Sequence, residues 1–157
     1  MAQNKFNYVK QLKNELERID LSKWEQACEI LYAAYRSKKS VWIGGNGGNS
    51  ANAFHFATDW NKGLYQLTGK ALSSRTFWDN TALMSAFSND QAFETIYVDQ
   101  LKMWATMGDV IVLLSAGGRS KNIVQAAKFA KINGMSVIGL TGGDGLNLKN
   151  EFDCHIH

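Results

Sequence analysis

The sequence predicts an α/β domain: a doubly wound parallel sheet flanked by helices, with two further helices at its N-terminal end. The first indication is the alternation of short apolar strands, glycine-rich loops and helical patterns along residues 40–156. The second is the segment 110–114, whose unbroken apolar character is typical of a strand buried on both faces of a parallel sheet. Ligands of such sheets bind at the carboxyl ends of the strands, and three glycine-rich loops follow predicted strands here.

The bulk composition is that of a globular chain of one domain. The chain has 157 residues, of which 45% are hydrophobic and 20% charged. Its formal net charge of +3 is small and spread along the sequence, so nucleic acid is not expected as a partner. The longest apolar run, residues 110–114, is too short to cross a membrane. Cys28 and Cys154 lack a metal-ligand spacing, and two unpaired thiols are typical of a reducing compartment. The N-terminus is polar and has no signal-peptide pattern. Together these features predict a cytoplasmic location.

Residues 1–39 are predicted to form a helical oligomerisation segment within a single domain that covers residues 1–157. The second helix of this segment is expected to begin after Ser22, because Ser22 and Glu25 match a capping box. The apolar face of the first helix, which would suit an oligomer, consists of Val9, Leu12, Leu16 and Ile19.

The remaining elements follow from changes in hydrophobic periodicity and from glycine and asparagine at their boundaries. A helix after the first loop is expected to end near Gly63. The predicted strands are 40–43, 71–74, 109–114, 136–141 and 152–156, and the predicted helices are 51–61, 80–87, 92–105 and 121–132.

The glycine-rich segment 44–50, which contains the first loop, lies between a predicted strand and a helix N-terminus. Glycines let the backbone approach a ligand, and the helix start offers free N–H groups, so the loop predicts an anion site, most simply for phosphate. A tight turn without a ligand is the alternative. A dinucleotide fingerprint does not fit, because Ser50 stands where its third glycine belongs, and the G-K-[ST] of a P-loop is absent. The candidate binding residues are Asn46, Gly47, Gly48, Asn49 and Ser50.

The second loop, residues 115–120, also has the features expected of an anion site. Ser115 and Ser120 supply hydroxyl groups, and Gly117 lets the backbone approach closely. Arg119 adds a charged fork that matches a phosphate group. A solvated arginine at a helix start is the alternative interpretation.

His55 and Asp59 lie four residues apart on the helix that follows the first loop. This spacing places both on one face, one turn apart. The pair could bind a divalent metal ion or transfer a proton. An ordinary hydrogen-bonded pair at this spacing is the alternative.

Four segments in the same order resemble bacterial phosphoheptose isomerases, members of the SIS (sugar isomerase) domain family. Gly-Asn-Gly-Gly at 45–48 precedes His-Phe-Ala at 55–57, and Asn-Asp follows at 89–90. Gly-Asp-Val at 108–110 leads to the second loop. The segment 137–145, Val-Ile-Gly-Leu-Thr-Gly-Gly-Asp-Gly, completes the resemblance, which runs from about residue 5 to the end.

The resemblance implies a parallel sheet flanked by helices and a homo-oligomer, a tetramer or a dimer. It implies the conversion of sedoheptulose 7-phosphate into D-glycero-D-manno-heptose 7-phosphate by proton transfer through an enediol. Aligned on His-Phe-Ala, the catalytic base of the family corresponds to Asp59 and its metal-binding histidine to His55, so zinc is a possible cofactor at these two residues. Asp90 is a candidate for contacting the sugar hydroxyl groups.

Several departures keep a second interpretation open. Asn49 replaces the serine of the first loop, and the second loop reads Ser-Ala-Gly-Gly-Arg-Ser, with two fewer hydroxyl groups than in the family. The family also has a further helix after the last strand, with a second catalytic histidine, and the sequence reaches His157 before that helix. The alternative is a non-catalytic protein with this fold that binds a sugar phosphate or a regulatory partner. A structural subunit paired with an active paralogue is a third possibility.

Overall fold

A computed structural model of the chain describes residues 2–157, with side chains at residues 7–145 and 148–157. Met1, the first residue of the predicted helical segment, lies outside the described residues. The helices are α1 (Ala2–Glu17), α2 (Leu21–Arg36), α3 (Gly48–Thr58), α4 (Leu64–Thr68), α5 (Thr81–Asp90), α6 (Ile96–Trp104) and α7 (Lys121–Ile132), with a π-helical turn at Asp59–Gly63 and a 3₁₀ helix at Gly143–Glu151. The strands are β1 (Val41–Gly45), β2 (Ser74–Thr76), β3 (Val110–Ser115), β4 (Ser136–Thr141) and β5 (Cys154–Ile156).

The five strands form one parallel sheet in the order β2-β1-β3-β4-β5. The chain passes outward from β1 to β2, then returns across β1 to build the other half of the sheet. The strand order therefore reverses between β1 and β3, and the crevice at such a reversal is where open α/β sheets bind ligands. The predicted fold class, a doubly wound parallel sheet flanked by helices with two N-terminal helices, is confirmed.

Helices cover both faces of the sheet, which explains why its central strand is apolar over residues 110–114. β3 is buried at all six positions. On one face α5, α6 and α7 enclose an aromatic cluster in which the rings of Phe77 and Tyr97 stack with centroids 4.6 Å apart. On the other face α2 and α3 pack small residues, such as Ala53 and Ala57, against β1 and β3.

A buried carboxylate ties the amino ends of the two central strands together. Asp109, 2% exposed, accepts hydrogen bonds from the amides of Ser40 and Thr106 at 3.0 Å and from the indole of Trp42 at 3.3 Å. These bonds join residues that precede β1 and β3, so they stabilise the edge of the sheet opposite its carboxyl ends.

Several boundaries differ from the predictions: α3 begins three residues earlier, α5 ends three residues later, α6 begins four residues later, and the second strand lies at Ser74–Thr76 rather than at 71–74. Two further differences at helix ends have a clear physical reason. α2 begins at Leu21 because Asp20, rather than a Ser22–Glu25 capping box, caps it by accepting from the Ser22 amide at 3.0 Å. The helix after the first loop does not end near Gly63, which has ordinary helical dihedral angles. It continues through the π-helical turn and α4 to Gly69, whose φ of +74° is the left-handed conformation that commonly ends a helix.

None of the helices in the described part of the chain combines the length and the apolar character that crossing a membrane requires.

Candidate active site

Three loops meet at the carboxyl edge of the sheet because β1, β3 and β4 are adjacent and parallel. We call residues 46–50 after β1 the first loop, residues 115–120 at the end of β3 the second loop, and residues 142–145 after β4 the third loop. The first and second loops flank the reversal of strand order. All the residues predicted to bind phosphate belong to these two loops.

The first loop turns the chain sharply from β1 into α3. Gly47 has a φ of +55°, a conformation that side chains with a Cβ rarely adopt. A Cβ at Gly45 would lie 2.7 Å from Asn49, so only glycine lets the helix start this close to the strand. No side chain caps α3. In its first turn the amides of Asn49 and Ser50 donate to the carbonyl oxygens of Asn46 and Gly47 at 3.1 and 3.0 Å, while the amide of Gly48 has no partner among the described residues.

The second loop combines a buried hydroxyl group with another uncapped helix. Ser115 is 4% exposed, and its Oγ has no hydrogen-bond partner among the described residues. Ser120 occupies the N-cap position of α7 without making a side-chain capping bond. Buried hydroxyl groups without partners are rare in folded proteins, so the unpaired Ser115 Oγ is an unusual feature of this loop.

Close packing of the second loop on the third leaves little freedom in either. Gly118 has a φ of +63°, and a Cβ there would lie 2.2 Å from the Cα of Gly145. The amide of Gly142 donates to the carbonyl of Ser115 at 3.2 Å. Gly117, in contrast, has open space around the position of a Cβ. Its predicted contact with a ligand remains a prediction.

Arg119 reaches across to the third loop. Its guanidinium lies 3.3 Å from the carboxylate of Asp144, and both side chains are largely exposed. Exposed ion pairs of this kind contribute about 0–1 kcal/mol, so a ligand phosphate can compete for the guanidinium at small cost. The structure thus places an exposed positive charge beside the second loop, and its contact with phosphate remains a prediction.

His55 and Asp59 form the predicted pair on the helix that leaves the first loop. His55 Nε2 lies 3.1 Å from Asp59 Oδ2, and the two side chains are 75% and 64% exposed. Asp59 is the first residue of the π-helical turn, where the helical hydrogen bonding changes. Turns of this kind often occur at functional sites.

A metal site at this pair is incomplete. Catalytic zinc sites take three protein ligands. The side chains at residues 7–145 and 148–157 include no group of three or more histidine, cysteine, aspartate or glutamate residues that could hold a metal ion. His55 and Asp59 alone therefore do not fit the zinc site that the family resemblance implies.

Asp90 lies apart from the other candidates. It is the last residue of α5, is exposed, and accepts a hydrogen bond from Asn89 at 2.7 Å. Among the described residues no hydrogen bond or ion pair connects it to the first or second loop. Its predicted contact with sugar hydroxyl groups remains a prediction.

Sequence patterns missed a group of polar side chains beneath the loops. The group consists of Trp78, Tyr97 of α6 and Asn122 of α7. Hydrogen bonds join it to Gly45 and Asn46. In the sequence Tyr97 has the position of an ordinary aromatic core residue, and Asn122 resembles a solvated polar residue of a first helical turn. No local signal distinguished them, because their partners lie 52 and 76 residues away in the chain.

A second polar group lies at the end of β4. Thr141 Oγ1 lies 2.7 Å from His155 Nε2 and 3.2 Å from His157 Nδ1. Burial, with the neighbouring His157 as a smaller cause, lowers the pKa of His155.

Comparisons with known proteins find a matching family, similar sequences and a similar fold. The family model of the SIS domain matches residues 6–142. A phosphoheptose isomerase of Campylobacter concisus is 35% identical over 154 residues, which are 92% of this chain and 81% of that protein. One of Crocosphaera subtropica is 34% identical over 82% of this chain and 65% of that protein.

Among solved structures, the phosphoheptose isomerase GmhA from Neisseria gonorrhoeae superposes with a TM-score of 0.83 at 29% identity. The superposition covers 99% of this chain and 81% of that one. Family model, sequence identity and fold agree, so the chain belongs to the SIS-domain family and, within it, to the phosphoheptose isomerases.

Proposed function

We propose that the protein isomerises a seven-carbon sugar phosphate, converting sedoheptulose 7-phosphate into D-glycero-D-manno-heptose 7-phosphate. The observation that carries the proposal is the meeting of two uncapped helix N-termini, those of α3 and α7, at the reversal of strand order. The partial positive charges of these helix starts favour a phosphate group there, and the amide of Gly48 is free to donate to it. The membership of the chain in the phosphoheptose isomerase family supports the rest of the substrate.

The phosphate group is proposed to lie between the first and second loops. The backbone N–H of Gly48 and the hydroxyl groups of Ser115 and Ser120 would hydrogen-bond its oxygens. Arg119 would exchange Asp144 for the phosphate and supply a charge-assisted, bidentate contact. The residues proposed to contact the ligand here are Asn46, Gly47, Gly48, Asn49, Ser50, Ser115, Gly117, Arg119 and Ser120.

Asp59 is proposed to transfer the proton. Isomerisation removes a proton from C1 of the ketose and returns one to C2, while a hydroxyl proton moves from O1 to O2. The Asp59 carboxylate would act as the base at carbon, and His55, 3.1 Å away, would orient it and exchange the hydroxyl proton. Nine residues separate Ser50 from Asp59, roughly 13 Å along a helix, so the reacting carbons must lie far from the phosphate. A seven-carbon chain meets that requirement.

A binding protein without catalysis is the second candidate. The exposure of His55 and Asp59, 75% and 64%, favours it, because catalytic acid–base groups usually lie in partly desolvated surroundings. The phosphate site would then serve to sense or present a sugar phosphate.

Deuterium exchange separates the two candidates. The protein is incubated with sedoheptulose 7-phosphate in heavy water, and the C1 and C2 protons of the sugar are followed by NMR. An enediol mechanism washes deuterium into the sugar, and Asp59→Asn should abolish the exchange. Glu29→Gln, an equal loss of charge at an exposed position of α2, should leave it intact. Binding without exchange in the wild type would refute the isomerase and support the binding protein.

The protein is further proposed to form a homo-oligomer, a dimer or a tetramer, through α1. Tyr8, Val9, Leu12 and Leu16 are between 46% and 65% exposed and lie on one face of the helix. A second copy of the same face would remove this surface from water.

The cysteines, both free thiols, are consistent with the proposed cytoplasmic location.

A further inference from the structure

A network of side-chain hydrogen bonds lies directly beneath the first and second loops. The hydroxyl of Tyr97 lies 2.8 Å from the carbonyl oxygen of Gly45 and 2.9 Å from Asn46 Oδ1, and it accepts from Trp78 Nε1 at 3.1 Å. Trp78 Nε1 also donates to the Gly45 carbonyl at 2.9 Å. The network therefore fixes the positions of Gly45, the last residue of β1, and Asn46, the first residue of the first loop.

The same network reaches the second loop through α7. The carboxamides of Asn46 and Asn122 pair reciprocally, each donating to the other's oxygen at 2.9 Å. Asn122 is 2% exposed, and its oxygen also accepts from the Ile123 amide at 3.0 Å, within the first turn of α7. One continuous set of bonds thus connects α6, the end of β1 and the N-terminus of α7.

Tyr97 is suited to this position because it remains a hydrogen-bond donor. It is fully buried, and burial raises the pKa of its hydroxyl to about 12. Its proton therefore stays available to Gly45 or Asn46 at any physiological pH.

The network determines which part of Asn46 is left for a ligand. A carboxamide has two N–H donors and two acceptor positions on its oxygen. Asn122 donates to the oxygen of Asn46, the Tyr97 hydroxyl lies 2.9 Å from the same oxygen, and Asn46 donates one N–H to Asn122. Among the described residues the second N–H has no partner, and Asn46 is half-buried at the base of the loop. That N–H is held in one direction, ready to donate to a bound oxygen.

We infer that Tyr97 and Asn122 are positioning residues that hold Asn46 and align the α3 and α7 N-termini on one phosphate group. The inference rests on the proposed function only in assigning a phosphate to these loops. It predicts that loss of the Tyr97 hydroxyl weakens phosphate binding without removing any group that touches the ligand. Turnover, once phosphate is bound, should change little.

The experiment measures the dissociation constant of inorganic phosphate by calorimetry for the wild type and Tyr97→Phe. Loss of one buried hydrogen bond from the network beneath the loops should raise the Kd of phosphate about two- to tenfold. The control is Gln100→Leu, also buried and on α6, which loses bonds to Phe77 and Ile96 outside the network. It should lower the melting temperature at least as much and leave the Kd unchanged.

A second variant guards against failure of the first to fold. Asn122→Ala should raise the Kd over the same range, and the double variant should weaken binding by less than the product of the two single effects. In the isomerase assay both should raise KM with kcat nearly unchanged. An unchanged Kd in folded Tyr97→Phe and Asn122→Ala would overturn the inference, as would a wild type that binds no phosphate. Phosphate binding without deuterium exchange would refute the proposed reaction and leave the inference standing.

Discussion

Arg119 is the residue at which this chain departs most in charge from the family pattern of its second loop. If it binds the substrate phosphate, Arg119→Ala should raise KM about tenfold or more, because a charge-assisted hydrogen bond is lost. The melting temperature should change little, since the exposed pair with Asp144 contributes little to stability. Steady-state kinetics and thermal unfolding measure the two effects.

Asp144→Asn is the matched control for Arg119. It breaks the same ion pair but keeps the guanidinium, so KM should stay the same or fall. Equal increases of KM in both variants would instead assign the effect to the ion pair and contradict a phosphate contact.

His155 should make stability depend on pH. Burial lowers its pKa below the ordinary value of 6.5, so the unfolded chain takes up the proton at a higher pH than the folded protein does. Stability contributed by the neutral ring is therefore fully present above about pH 6.5 and is lost as the pH falls below it. Urea unfolding between about pH 8 and pH 5 should show this decline, and His155→Asn should flatten it. An unchanged slope in the variant would assign the dependence to other groups.

At the scale of the elements, substitutions in the second loop test how closely the second and third loops must pack. Gly118→Ala places a Cβ 2.2 Å from Gly145 on a backbone with a φ of +63°. It should lower the free energy of unfolding by about 2 kcal/mol or more and weaken phosphate binding, because the second loop must move. Gly117→Ala, with open space at the same loop, should leave the free energy of unfolding unchanged. Chemical denaturation and phosphate calorimetry of both variants check the contrast.

Elements with one strong local signal were predicted closely. α7 and β4 have the predicted bounds, because an amphipathic or apolar run in each ends at clear glycine or small-residue signals. The helix after the first loop was predicted too short because Gly63 was taken as its end. Glycine permits a helical conformation as well as a left-handed one, so its identity alone does not say which of Gly63 and Gly69 ends the helix.

At the scale of the whole molecule, α1 should govern the oligomeric state. The double substitution Leu12→Lys with Leu16→Lys places charge on the exposed apolar face and should shift the protein to monomers in sedimentation velocity. Gln11→Lys with Asn14→Lys adds the same charge outside that face and should leave the oligomer intact. Identical sedimentation of both double variants would exclude α1 as the interface.

The sequence by itself determined the fold class, the three loops, the family and the residues of the first and second loops as candidates. These depend on short-range regularities, namely hydrophobic periodicity, glycine at turns and motif spacing, which are read within a few residues of the chain. The partnership of His55 and Asp59 was also within reach, because one helical turn separates them.

Only the tertiary structure decided what supports those candidates. The bonds of Tyr97 to the first loop, the pairing of Asn46 with Asn122 and the contact of Arg119 with Asp144 join segments 25 to 76 residues apart. The orphaned hydroxyl of Ser115 likewise becomes visible only once its surroundings are packed. Such contacts depend on strand order and on which helix faces meet, and no local pattern encodes them because each partner satisfies only its own element's periodicity.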